Sequence, residues 1–195
     1  ITGIVYTNDK ARAFRTVAGA LLGISMLFLG LNTMQAGVAP LAQTEWFEGL
    51  LQWTQGNYIL GFIIGAAMSF VVQSSLAIVV LTIAFQSAGL FSLAESIMVV
   101  YGANVGSSIL SLVLSSSMAG QSKQVAMYQT AYNFTGALIL VPLFYLEVHG
   151  GYPAVKWATE WVTASDGGQI ATVNIIFNAI PGVVLFVLIG PCCRL

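Results

Sequence analysis

Two polar interruptions in an otherwise apolar chain hold the residues that could do chemistry. Gln73-Ser74-Ser75 separates the apolar stretch 58–70 from the apolar stretch 76–85, and Gly102-Ala103-Asn104-Val105-Gly106-Ser107-Ser108 separates 90–101 from 109–115. None of these side chains carries a charge. General acid–base chemistry needs a group that titrates near the working pH, so a membrane-embedded enzyme is the weakest reading. Binding suits them better. Hydroxyl and amide oxygens, with backbone carbonyls freed at a helix break, can replace the hydration shell of Na⁺. N–H and O–H donors, with the positive ends of half-helices, can hold an oxyanion. The glycines around Asn104 would also let backbone amides point at a bound anion.

The elements that must position these residues follow from the charges. The chain has 195 residues, of which 57% are hydrophobic and only 7% charged. A soluble domain carries about a quarter charged residues. The formal net charge is −1 and no basic patch occurs, which excludes a nucleic-acid partner. Arg15 and Glu45 bracket 29 uncharged residues, Glu48 and Glu95 46, Glu95 and Lys123 27, Lys123 and Glu147 23, and Asp166 and Arg194 27. A helix crosses the hydrocarbon core with about 20 apolar residues. The expected fold is therefore an all-α integral membrane protein, a transporter core with full spans plus two broken or re-entrant helical elements.

Along the chain, residues 1–15 read as a cytoplasmic lead, because Lys10, Arg12 and Arg15 precede the first span. The membrane part, 16–195, divides into a span over 16–38 closed by Pro40, an interfacial helix over 42–57 with Trp46 and Trp53, and a broken hairpin over 58–88. A second broken element follows over 90–118, then a span over 124–146, a loop or interfacial segment over 147–167, and a span over 169–190. Gly19, Gly23, Gly30 and Gly37 mark a face of the first span that another helix can approach. Glu95 reads as a loop charge, and His149 lies among loop residues without fellow metal ligands. Paired short hydrophobic segments broken by Gly, Ser, Asn or Gln point to a transporter site, because backbone freed at membrane depth must face protein, water or a ligand. Ile1 at the start and Pro191-Cys192-Cys193-Arg194-Leu195 at the end suggest a piece of a longer protein.

An internal repeat adds further candidates. Residues 123–133 align with 168–178 at an offset of 45, with Gln124 on Gln169, Ala126 on Ala171, Tyr132 on Phe177 and Asn133 on Asn178. Asn133 and Asn178 lie inside spans, where an amide needs a partner, bound across helices or to a ligand.

Gln73-Ser74-Ser75, the Gly102–Ser108 motif and then Gln124…Asn133 resemble the repeat of the sodium/phosphate cotransporter family, and Gly23–Met34 is similar to its glycine- and methionine-bearing helix. The resemblance covers roughly residues 17–188. It implies sodium-coupled symport of inorganic phosphate at a multi-pass cell (plasma or inner) membrane, with two inverted repeats each giving a Gln-Ser-Ser segment to a shared site. The chain departs from the family in three places. Leu76, Ala77 and Ile78 stand where a further Ser and Thr are usual, Val105, Ser107 and Ser108 soften the second motif, and Gln129 and Asn174 stand where a His is common.

The resulting expectation is that Gln73, Ser74, Ser75, Gly102, Asn104, Gly106, Ser107 and Ser108 bind substrate and ions, with Na⁺ held by Gln73, Ser74, Ser75 and Asn104. Gln129, Asn133 and Asn178 are secondary candidates. No resident cofactor is expected, since Na⁺ and phosphate are cargo. The partners are the lipid bilayer and a second inverted repeat, in a missing segment or a second protomer. The alternatives are a sodium-coupled carrier of another small anion and a non-transporting scaffold or phosphate-sensing subunit.

Overall fold

A computed structural model describes residues 15–41, 44–45, 49, 56–151 and 153–192. The expected lead over 1–15 and interfacial helix over 42–57 lie almost wholly outside the described residues. Within them, all regular structure is helical: α1 (Arg15–Leu41), α2 (Tyr58–Val72), α3 (Ser75–Ser87), α4 (Leu93–Ser115), α5 (Gly120–Gly150), α6 (Ala154–Val162) and α7 (Asp166–Cys192). Among the described residues, three stretches, Leu93–Ser115, Gly120–Gly150 and Gly167–Val187, are long and apolar enough to cross a bilayer. The shortest, 21 residues, is about 32 Å long at ~1.5 Å per residue, against a core of ~30 Å. The protein is an all-α, multi-pass membrane protein. Large apolar side chains such as Leu138 and Phe186 accordingly stand exposed on the outside of the helices.

α4 is the centre. Residues from Glu95 to Gly106 are all buried on it, and α2, α3, α5 and α7 all pack against it. Tyr101 meets Phe177 of α7 with ring centroids 5.4 Å apart. Leu140 and Phe144 of α5, Ile170 and Val173 of α7 and Val79 of α3 complete the cluster. The N-terminus of α4 is set by a capping box. Ser92 Oγ accepts from the Glu95 amide at 3.3 Å, while Glu95 Oε2 accepts from the Ser92 amide at 2.8 Å. Glu95 is thus a buried cap in the first turn of α4, a correction to its reading as a loop charge. The signature Ser-x-x-Glu was present in the sequence.

The most extensive helix pair is α2 with α4. Gly61, Gly65 and Ser69 form the buried face of α2. A Cβ on Gly65 would overlap the backbone of Val99, one on Gly102 the carbonyl of Phe62, and one on Gly106 the backbone of Ala66. The two backbones touch, as small residues one turn apart permit.

This contact corrects the expected interruption of the second element. α4 runs unbroken through Gly102–Ser108. Its glycines cost helix propensity, about 1 kcal/mol each, but they open a packing surface and leave the backbone ladder intact. Its polar side chains bond back to their own helix: Asn104 Nδ2 to Val100 O at 2.9 Å, Ser107 Oγ to Asn104 O at 3.0 Å and Ser108 Oγ to Asn104 O at 2.9 Å.

The first interruption does divide the chain. α2 and α3, of 15 and 13 residues, are about 22 and 20 Å long, too short to cross singly. α1 continues to Leu41 with Pro40 inside its last turn, past the expected end at 38. A Cβ on its Gly23, Gly30 or Gly37 would meet nothing described within 4 Å. Within 147–167, α6 is capped from α5, since Glu147 carboxylate oxygens accept from the Val155 and Lys156 amides at 2.7 and 2.9 Å. Trp157 and Trp161 stand 70% and 82% exposed on α6, as indoles at a membrane–water boundary do.

Gly102→Ala is expected to destabilise the protein by about 1–3 kcal/mol, the range for overpacking. Gly23→Ala is expected to stay within about 0.5 kcal/mol. Thermal unfolding in detergent compares the two.

Candidate functional site

The site starts at the turn between α2 and α3. Gln73 ends α2 in the left-handed region, φ 61° and ψ 23°, with its amide donating to Ser69 O at 2.8 Å. Among the described residues it is the one non-glycine with positive φ. Such a conformation costs an L-residue about 1–2 kcal/mol. Ser74 turns extended and caps α3, its Oγ accepting from the Ala77 amide at 3.2 Å. The first amides of α3, at Ser75 and Leu76, are the unpaired donors every helix start leaves. Ser74 also borders a cavity of about 590 Å³ between α3 and α1, otherwise lined by apolar side chains such as Ile24, Leu27, Phe28 and Val80. A second hollow, by Tyr145 and His149 at the end of α5, lies away from these residues.

The second part is a polar seam through α4, α5 and α7. Asn104 Nδ2 donates to Asn174 Oδ1 at 3.0 Å. Asn178 Nδ2 donates to Asn174 O at 2.8 Å, and Tyr132 Oη donates to Asn178 O. One turn along α4, Ser108 Oγ accepts from Asn133 Nδ2 at 2.5 Å, and Thr130 Oγ1 donates to Ser108 O at 3.2 Å. Asn104, Ser108 and Asn133 are all buried.

Helix register brings turn and seam to one level. Phe62 and Ala66 face Gly102 and Gly106, so α2 runs parallel to α4. Ile78 clusters with Val99 and Ala103, while Phe85 meets Phe91 just before α4, so α3 runs antiparallel to α4, and Gly167 at the start of α7 abuts Ile83 near the end of α3. Counting back along α3 at ~1.5 Å per residue, Ser75 stands level with Asn104 and Asn174. Gln73 lies about one to two turns past them along α4.

Of the residues expected to act, Asn104, Ser107, Ser108, Asn133 and Asn178 therefore belong to one hydrogen-bonded set. Ser74 and Ser75 stand at its level, half-buried, and Gln73 is exposed at the turn. Gly102 and Gly106 are occupied by the α2 backbone. Gln129 is exposed on α5, outside the set. Asn174, Thr130 and Tyr132 were missed. The repeat held a signal for Asn174, which aligns with Gln129 and lies one turn before Asn178. Among the described residues, no group of three His, Cys, Asp or Glu could hold a metal.

Residues 26–148 match the Na+/Pi-cotransporter family. The chain belongs to that family. It is 29% identical over 125 residues to YjbB of Escherichia coli (strain K12), whose name provisionally assigns it to inorganic phosphate export. That match covers 64% of this chain and 23% of YjbB. The Salmonella typhimurium protein of the same name is 28% identical over 62% of this chain and 22% of its own length. YqeW of Bacillus subtilis, a protein without assigned activity, is 20% identical over 92% of this chain and 56% of its own length. The chain thus spans about a quarter of the YjbB proteins. No solved structure matches it.

Gln73→Gly is expected to leave the fold as stable or more stable, by up to about 1 kcal/mol, because glycine adopts positive φ freely. Thermal unfolding in detergent, compared with the wild type, reads the change.

Proposed function

We propose that the protein moves inorganic phosphate across the cell membrane in symport with sodium, by alternating access at the α2–α3 turn. The observation that carries this reading is the level that the start of α3, at Ser74 and Ser75, shares with Asn104 of α4 and Asn174 of α7, with the strained Gln73 turn one to two turns beyond. Family membership supports phosphate as the anion. Ser74, Ser75 and the first amides of α3 are donors suited to phosphate oxygens, with the helix dipole behind them. Gln73 and Asn104 supply amide oxygens suited to sodium.

The coupling has an electrostatic reason. A dianion held only by neutral donors loses far more hydration energy than those donors return. A co-bound cation a few ångströms away offsets the loss, because attraction is strong where water is excluded. Sodium therefore binds first. The chain covers only part of its longer relatives, which supports a second, inverted half completing the site, from further sequence or a second protomer. The names of the YjbB relatives favour a second reading, outward phosphate movement. In a symporter the combined gradients of both ions set the direction.

Proteoliposomes with an imposed sodium gradient test this reading. Radiolabelled phosphate should follow the gradient in either orientation, and excess dicarboxylate should not compete. Ser75→Ala and Asn104→Ala should each cut the flux by at least about tenfold with the protein still folded. Undiminished flux in both variants removes these residues from the site, and flux indifferent to sodium removes the coupling.

A further inference from the structure

α6 joins two membrane-crossing helices, and each of its ends is tied about one turn inside theirs. At its start, the Val155 and Lys156 amides donate to the Glu147 carboxylate at 2.7 and 2.9 Å, and Glu147 lies one turn before α5 ends at Gly150. At its finish, Thr163 lies against Gly168 in the first turn of α7, where an added Cβ would meet its side chain at 2.7 and 2.8 Å. Between these ties, Val155 belongs to the same buried cluster as Phe144 and Ile170, and Thr159, one turn on, is buried too. α6 therefore lies across the ends of α5 and α7 at their own level and does not project beyond them.

The charges of α5 give the depth of that level. Lys123 and Glu147 are 24 residues apart, about 36 Å at ~1.5 Å per residue. That exceeds the hydrocarbon core of ~30 Å and falls short of the ~40–45 Å of a whole bilayer. Glu147, and α6 with it, stand in the headgroup layer. Trp157 and Trp161, four residues apart, share the face of α6 opposite Val155 and Thr159, and both are exposed. Bare to water, two indoles would forfeit their large apolar area. At headgroup depth the ring meets acyl chains while its N–H finds polar partners. The exposed apolar surface of α5 continues to this level in Leu146 and Val148, and the hollow beside Tyr145 and His149 opens there as well. Lys156 is paired with Glu160 at 3.7 Å, and with Glu147 the acids outnumber the base. Attraction to anionic lipid therefore does not hold this helix.

We propose that α6 is an in-plane anchor whose Trp157–Trp161 face docks into the headgroup layer of zwitterionic phospholipid and holds the ends of α5 and α7 at one depth. The anchor rests on the placement of α6 and is independent of which ions the protein carries.

The test reconstitutes the intact protein in phosphatidylcholine vesicles and reads tryptophan emission against lipids brominated near the glycerol end or near the methyl end of their chains. With Trp46→Phe and Trp53→Phe removing the other two indoles, bromine near the glycerol end should quench most strongly and aqueous acrylamide little. In the otherwise native chain, Trp157→Phe with Trp161→Phe should remove the same quenched component from the wild-type signal, a second measurement that stands if the first variant fails to fold. Adding phosphatidylglycerol or salt should change neither result. Acrylamide quenching without bromine quenching places the indoles in water and overturns the anchor. Stronger quenching from the methyl end places them in the hydrocarbon core and overturns its depth. Quenching by neither agent means that protein covers them, a second copy or another segment, and overturns lipid as the partner. Bromine quenching that needs phosphatidylglycerol overturns the zwitterionic headgroup.

Discussion

The backbone contact between α2 and α4 is the constraint on which the arrangement depends. Gly65 on one helix and Gly102 and Gly106 on the other leave no room for a Cβ, so the helices approach until their peptide groups touch. Between membrane helices, close packing contributes what water-driven burial would supply elsewhere. That contact fixes α2 parallel to α4 and sets the depth at which α2 stops. The turn at Gln73 and the start of α3 inherit their level from it.

Hydrogen-bond satisfaction sets the rest. Ser and Asn side chains of α4 return to their own carbonyls one turn back, which keeps the helix whole where its sequence is most polar. Atoms left over after that bonding reach across to α5 and α7. Asn174 collects donors from two directions, while Asn133 is left with a buried oxygen that accepts from none of the described residues. In an apolar surrounding such a group is costly unless a ligand meets it. The seam is therefore a polar element inside a core otherwise made of Val, Ile, Leu and aromatic side chains.

Much of this was legible in the residue order. Sparse charges announced membrane helices, and Gln73-Ser74-Ser75 announced the division of a helix, because a polar triplet between half-length apolar runs has few other uses. The repeat at an offset of 45 residues pointed to α5 and α7 and to their asparagines. The second motif misled, since Gly-Ala-Asn-Val-Gly serves a break and a close helix contact equally well. Only the neighbour decides between them. Glu95 was misread for a related reason: its carboxylate is a cap once Ser92 is seen to start a helix.

Composition and order alone determined that the chain lies in a bilayer, that it is helical, and which residue types are available to bind ions. These follow from local free energies, the cost of burying charge and the length a helix needs to cross. The tertiary structure decided that α4 stays continuous, that its glycines belong to α2, that Asn104 bonds Asn174, and that Ser75 stands level with both. Those outcomes depend on which surfaces meet, and residues 70 positions apart carry no local signal of their hydrogen bond.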